Sequence, residues 1–506
     1  MRGARPDDLQ IWAACIEIAS RTATLVRMRS ITIAVTAITL AVTPAAADER
    51  ADLQTRIAAA LHQAGPGTRF GLVVLDDAGR EIVAIAPDDR FVPASNTKIF
   101  TTAAAYDALG DVTLPDTQAG AAVRLDGRDV ILEGYGDARL SSADDCTRDC
   151  LSTLADSVAA KTRQVRHVVG DDSLFPDQRW SPGMSWNNMP TRSGTGISAL
   201  TLDDNELRVT VTPAASGRGP ARIDVLPYYT IDNRVGTGGR TAISYGRMPG
   251  GRTLRVEGTI AAGAAPEILR VGIDDPADYA AWRLRAMLLS RGVHVGGGVR
   301  VRHRPLGAAD DPTLRGNAPV AHPFRPQPLA RVVPAPLGED LTLTNKVSQN
   351  LHAELLLRRV GRISGSGSIA DGQARVAAML TRAGIERWRY DFADGSGMSS
   401  YNRVSPRGVV RFLRWTQAQP WGAAWRQTLP VGGLDGTLRR RFAGTALDGK
   451  LWAKTGSLNA ASGLAGFMTA ASGQTLTFAS YANDMPADGS ATQAVDAALL
   501  AIAAAN

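Results

Sequence analysis

Ser95-Asn96-Thr97-Lys98, Ser348-Gln349-Asn350 and Lys454-Thr455-Gly456 stand in that order along a chain of 506 residues. They read as S-x-x-K, S-x-N and K-T-G. Residues 96–109 carry the pattern of a mostly buried helix that ends at Gly110. Ser95 and Lys98 then start that helix three positions apart, which stacks them on one face. A serine hydroxyl is a weak nucleophile until a base removes its proton. A lysine serves as that base only when desolvation or a nearby cation lowers its pKa.

Lysine usage sharpens the reading. Of 56 basic residues only five are lysine: Lys98, Lys161, Lys346, Lys450 and Lys454. Arginine cannot give up its proton, so a base role requires lysine, and two of the five fall in these motifs. Ser95 also heads the only S-x-x-K in the chain. Ser348 and Asn350 precede a helix-like run, Leu351 to Val360. Ser348 is expected to relay a proton between Lys98 and a leaving amine, and Asn350 to hold Lys98 and a substrate carbonyl. Lys454 and Thr455 suit a substrate carboxylate, and Gly456 is expected to let a peptide approach the strand edge. The backbone N–H groups of Ser95 and Ser457 are expected to form an oxyanion hole. Lys346 either joins the electrostatics of the site or lies on a solvated face.

The motifs are unevenly spaced. Ser95 and Ser348 are 253 positions apart, Ser348 and Lys454 only 106. The first gap can hold a separate domain. Residues 49–64 read as an amphipathic helix, Thr68–Leu75 and Glu81–Ala86 as a strand pair around Asp77-Ala78-Gly79. Late in the chain Leu451–Thr455, Gly463–Ala470 and Thr475–Asn483 read as antiparallel strands, with a turn at Ser472-Gly473-Gln474. An Ala-rich helix follows, from Ala487 to Ala505. Elements of one α/β unit therefore sit at both ends. The middle holds short β-like runs: Ala122–Leu125, Val130–Leu132, Leu207–Val211, Leu254–Gly258 and Val299–Arg302. Eight prolines between Pro305 and Pro336 read as a return linker. The expected fold is mixed α/β: residues 48–118 and 327–506 form one domain with an antiparallel sheet flanked by helices. A β-rich insertion of about 200 residues, 119–326, interrupts it.

Hydrophobic content of 44% and charged content of 21% are those of a globular protein. Net charge is +7, without a dense basic block interleaved with aromatics, so a nucleic-acid partner is not expected. Met28-Arg29, the apolar run Ile31–Val42 and Ala45-Ala46-Ala47 form a secretory signal pattern. Residues 1–47 are read as the signal region, with the mature chain starting near Asp48. Asp7, Asp8 and Glu17 suit no signal n-region, so translation is expected to start at Met28; an unusually long leader is the alternative. The apolar run is too short for a stable membrane span, and no second one is seen, so no membrane anchor is expected after cleavage. Cys15 falls in the discarded part. Cys146 and Cys150 remain, and in an exported protein a local disulfide is the favoured reading. Zinc would need more ligands nearby. No metal and no cofactor are expected.

The three motifs together are the signature of penicillin-binding proteins and related β-lactamases. The chain resembles the class C low-molecular-mass penicillin-binding proteins, the D-alanyl-D-alanine carboxypeptidase/endopeptidase family. Asp394-Gly395-Ser396-Gly397-Met398-Ser399, followed by Asn402, looks like that family's D-G-S-G-L-S box. Gly432-Gly433-Leu434-Asp435-Gly436-Thr437-Leu438 looks like its G-x-D-G-T-L segment. Ser198-Ala199-Leu200 with Asp204-Asn205 resembles part of its inserted region. Met398 replaces the usual Leu, and Ser400 stands where many members have Arg, which leaves substrate preference open. The resemblance implies inserted domains, often two, one nested in the other. It implies peptidoglycan stem peptides and cross-links as substrates, acylation of the serine by β-lactams, and a periplasmic location, or the extracellular wall zone in a single-membraned cell. Asp394 to Gly397 otherwise reads as a structural turn near the cleft. Glu354 reads as ordering the helix after Asn350, and His352 as part of that helix.

Two other readings compete. A β-lactamase-type or esterase-type hydrolase of the same superfamily would need a glutamate-held water, and no Glu stands in a convincing segment. A non-catalytic wall-binding or β-lactam-sensing protein would not require the full set of motif residues. A Ser-His-Asp hydrolase is disfavoured, since no G-x-S-x-G elbow is present.

Overall fold

The computed structural model describes residues 44–322 and 324–506, with side chains from residue 52 onward. The expected signal sequence up to residue 43, with Met28 and Cys15, lies outside them. Among the described residues no helix is long and apolar enough to cross a membrane.

The two ends of the chain build one sheet. Its strand order is Leu451–Leu458, Ala461–Thr469, Thr475–Asn483, Arg69–Leu75, Glu81–Ile85, antiparallel throughout. Alternate residues of a strand face opposite sides, and both sides here are covered. Leu72 and Val74 pack with Leu53, Ile57, Leu499 and Ile502 from the helices Pro44–His62 and Thr492–Ala505. Val73 and Leu75 face the other way, onto Ile99, Phe100, Phe412 and Leu413. That second layer includes the helices Lys98–Ala108, Asn350–Arg362 and Pro406–Gln417. Double-sided burial explains why these strands read as continuous apolar runs.

The chain between these halves is mixed rather than purely β. A five-stranded sheet runs Val299–Arg302, Val168–Asp171, Asp129–Glu133, Ala122–Asp126, Ala330–Arg331, and its first three strands are parallel. Parallel strands need crossovers; the helices Leu151–Lys161 and Pro276–Ser290 pack on this core. Between them in sequence lie two small sheets, one of four strands and one of three, from residues 206–272. The stretch read as a plain linker holds the short helix Pro312–Arg315, and its last strand pairs with Ala122–Asp126.

Local boundaries differ from expectation at several element ends, two of them at helix starts. The C-terminal helix starts at Thr492 rather than Ala487, after a turn that includes Pro486. Ser95 sits in a 3-10 turn, Ala94–Thr97, and the α-helix begins only at Lys98. In a 3-10 turn residues i and i+3 eclipse, so Lys98 stands directly over Ser95.

Candidate active site

Lys98 is fully buried. Its amine lies 3.0 Å from Ser95 Oγ, 2.6 Å from Asn350 Oδ1 and 2.6 Å from the Ser396 carbonyl oxygen. Burial lowers its pKa to about 7, against the opposing pull of Asp394 and Glu354. A neutral amine has two N–H groups and one lone pair. The two fixed acceptors, Asn350 and Ser396, use both donors and leave the lone pair for the Ser95 hydroxyl.

A second serine–lysine pair stands beside the first. Lys454 Nζ donates to Ser348 Oγ at 2.9 Å and to the Thr455 carbonyl at 3.0 Å. Lys454 is buried and has no carboxylate partner among the described residues. Burial, and then the neighbouring Lys98, push its pKa well below the ordinary lysine value. Ser348 has a φ of 62°, and Ala94, just before the nucleophile, has 47°. Both are left-handed values that L side chains rarely adopt, and such strain concentrates where function demands a position.

Leu451–Leu458 is the edge strand of the sheet. Its outer side is read from two bonds: Gly432 N–H to the Leu451 carbonyl, and Ala453 N–H to the Pro430 carbonyl. Period two along the strand puts the backbone groups of Thr455 and Ser457 on that same side. Thr455 Oγ1 lies 2.8 Å from Thr437 Oγ1 of the Gly432–Leu438 segment. Lys346 is not on a solvated face: it donates to Asp435 at 2.6 Å and to the Leu429 carbonyl at 2.7 Å, and so anchors that segment.

Gly456 carries a packing constraint besides the expected approach of a peptide. A Cβ there would meet the Pro93 carbonyl oxygen at 2.4 Å and Asn96 N at 3.1 Å. The glycine lets the strand pack against the turn that carries Ser95, a contact reinforced by Asn96 Nδ2 donating to the Lys454 carbonyl at 2.8 Å.

Residues 394–402 do more than turn the chain. Ser396 supplies a carbonyl to Lys98. Glu354 Oε1 accepts from the N–H groups of Gly395 and Ser396, and its other oxygen pairs with Arg358 at 2.8 Å. Asp394 accepts from Gly397 N, Ser399 N and Asn402 Nδ2. Burial and the Glu354 charge raise the Asp394 carboxyl to about 6. A Cβ on Gly397 would sit 1.9 Å from the Ala94 oxygen, so this loop is pressed against the nucleophile turn. Single-sequence reasoning missed the Ser396 carbonyl, because a backbone acceptor carries no residue signature.

His352 is buried between Asp340, at 2.5 Å, and Asp204, at 2.9 Å. Ser193 of the middle region accepts from Asn350 Nδ2 at 2.9 Å. A cleft lined by Trp180, Met184, Ser193, Asn350, Ser396 and Met398 opens beside the Lys98 network. Ser400 does not face it as a free side chain: its hydroxyl and N–H both donate to the Gly183 carbonyl. Away from the site, Cys146 and Cys150 form a disulfide.

The sheet, the helix behind it and the paired serines and lysines define a serine-type hydrolase of the penicillin-binding class. The D-Ala-D-Ala carboxypeptidase 3 (S13) family matches residues 53–506. A D-alanyl-D-alanine carboxypeptidase from an Actinomadura species is 32% identical over 433 residues, 81% of this chain and 76% of the relative. D-alanyl-D-alanine carboxypeptidase DacB of Haemophilus influenzae is 24% identical over 432 residues, 82% of this chain and 86% of the relative. The crystal structure of penicillin binding protein 4 from Haemophilus influenzae has the same fold, with a TM-score of 0.72 at 22% identity, covering 87% of this chain and 97% of that one. This chain belongs to the D-Ala-D-Ala carboxypeptidase 3 (S13) family.

Proposed function

We propose that the protein removes the terminal D-alanine of peptidoglycan stem peptides through an acyl-enzyme on Ser95. The observation that carries this is the buried Lys98 amine, brought to about pKa 7 and aimed at Ser95 Oγ at 3.0 Å. Neutral Lys98 takes the hydroxyl proton as Oγ attacks the penultimate D-Ala carbonyl carbon. The oxyanion is held by the N–H groups of Ser95 and Ser457, each worth about 3 kcal/mol in such sites. The proton then passes by way of Ser348 to the leaving nitrogen, the C–N bond breaks, and D-alanine departs. Water, deprotonated by the same base, cleaves the ester and restores Ser95. The terminal carboxylate arrives as the counter-ion that buried Lys454 lacks, and Thr455 and Thr437 complete its hydrogen bonds.

The same acyl donor occurs in D-Ala cross-links, where only the leaving amine is larger, so we assign a D,D-endopeptidase activity as well. β-Lactams acylate Ser95 in this reading; the Haemophilus protein has been crystallised with a β-lactam. Export to the periplasm, or to the wall zone of a single-membraned cell, is supported by the Cys146–Cys150 disulfide, which suits an oxidising compartment. Residues 119–326 are read as the inserted region and 48–118 with 327–506 as the catalytic domain.

Intact-mass analysis after benzylpenicillin, with peptide mapping, tests the nucleophile. An adduct on Ser95 that is absent from Ser95→Ala is expected. An unmodified protein with intact antibiotic would refute it, and consumed antibiotic without adduct would point to a β-lactamase. D-Alanine release from a stem pentapeptide tests the substrate.

A further inference from the structure

A second pocket, open to solvent, lies at the far end of the helix that begins with Asn350. Twelve residues of helix separate Asn350 from Arg362, about 18 Å at the usual rise, so this cavity is not part of the acyl-transfer site. Arg304, Arg325, Arg362, His322, Ser173 and Ser366 line it.

The charges there do not balance. Arg304 is satisfied: Nη1 pairs with Asp310 at 2.7 Å, and Nε and Nη2 donate to the Ser173 and Ser366 carbonyls, each at 3.2 Å. Arg325 lies over the Tyr135 ring and donates to Ser173 Oγ at 3.3 Å, but its ion pair with Asp171 is long, at 3.8 Å, and Asp171 is held closer by Arg302, at 3.1 Å. Arg325 Nη1 is buried with no hydrogen-bond partner. Arg362 pairs with no carboxylate among the described residues; Nη1 meets only the His322 ring, at 2.5 and 2.8 Å. Burial, then Arg325 and Arg304, lower the pKa of Arg362. Burial, then Arg362 and Arg304, lower that of His322. Buried N–H donors without acceptors are rare in folded proteins and call for an explanation. Here three guanidiniums from three separate segments surround an open space.

We propose that this cavity binds a phosphate group, as a monoester or a diester. A planar carboxylate is satisfied by one guanidinium fork. Arg325 and Arg362, from two separate segments and beside the further positive charge of Arg304, suit an anion with oxygens in several directions. The guanidiniums of Arg325 and Arg362 supply charge-assisted bonds, and His322 stands at the rim.

Calorimetric titration of the purified protein with inorganic phosphate, at low salt and neutral pH, tests this. One saturable site is expected. Arg362→Gln is expected to weaken it about tenfold or more, the loss of one charge-assisted contact, and the rim variant His322→Gln, which removes an uncharged ring, is expected to weaken it less. D-Alanine release unchanged in both variants shows that they are folded. Competition by a glycerol-phosphate diester oligomer assigns the site to a polymer phosphodiester; retained phosphate binding without competition assigns it to free or monoester phosphate. Absence of saturable binding, binding indifferent to both substitutions, or acetate binding as tightly as phosphate overturns the proposal.

Discussion

The imidazole of His352 joins Asp340 to Asp204, which lies 148 residues before the histidine, with Nε2 at 2.9 Å from Asp204 Oδ1. One buried ring thus ties the start of the S-x-N region to the middle of the chain. Asp203, Asp204 and Asn205 all have positive φ, at 51°, 56° and 50°, a region that Asp and Asn tolerate better than most residues. The turn aims Asp204 at the ring.

His352 is therefore expected to set a pH-dependent part of the stability. Burial alone would lower its pKa, but Asp340 and Asp204 overcome this and raise it to about 10. A raised folded pKa stabilises fully below the unfolded value near 6.5 and is lost as pH climbs toward 10. His352→Gln leaves the buried Asp340 carboxylate without its cation and should cost about 3 kcal/mol or more near pH 6. Thermal unfolding at pH 6 and pH 10 checks this: the gap between wild type and variant should narrow at the higher pH.

Lys98→Arg keeps the charge but removes the base, since arginine stays protonated. D-Alanine release should fall by a factor of about 10² to 10⁴, with the circular dichroism unchanged. In the wild type, kcat/KM should rise as pH passes through about 7, where Lys98 loses its proton. A profile flat across that region would argue against Lys98 as the base.

Lys454→Ala should damage recognition of the terminal carboxylate. The expected loss in kcat/KM is roughly 10- to 100-fold, the worth of one charge-assisted hydrogen bond. A stem peptide amidated at its C-terminus should be a poor substrate for the wild type and little worse for the variant.

Gly456→Ala places a Cβ 2.4 Å from the Pro93 oxygen. The strand must shift away from the Ser95 turn, so acylation by benzylpenicillin should slow by more than the fall in Tm would suggest. A variant that acylates at the wild-type rate would place the glycine's role elsewhere.

The motif residues were legible because their chemistry is carried by side chains: a serine, two lysines and an asparagine with few substitutes. The strands at both ends were legible because double burial makes them apolar along their whole length. Ser396 was not, since what it contributes is a main-chain oxygen. The acidic pair Asp394 and Glu354 was seen as two separate local features. Their common task of fixing that oxygen appears only when residues 354 and 394–396 meet. The packing constraint on Gly456 has no local signature either, because it comes from Pro93, far away in sequence.

By itself the sequence determined the chemistry available: one S-x-x-K serine, scarce lysines placed in motifs, and an α/β unit split between the two ends. Side-chain type and local periodicity carry that information directly. Only the tertiary structure decided how this chemistry is tuned. Desolvation of Lys98, the missing counter-ion of Lys454, the acceptors that orient the amine and the unbalanced arginines around Arg362 all arise from groups distant in sequence. Burial and charge are properties of a three-dimensional neighbourhood, and no linear spacing encodes them.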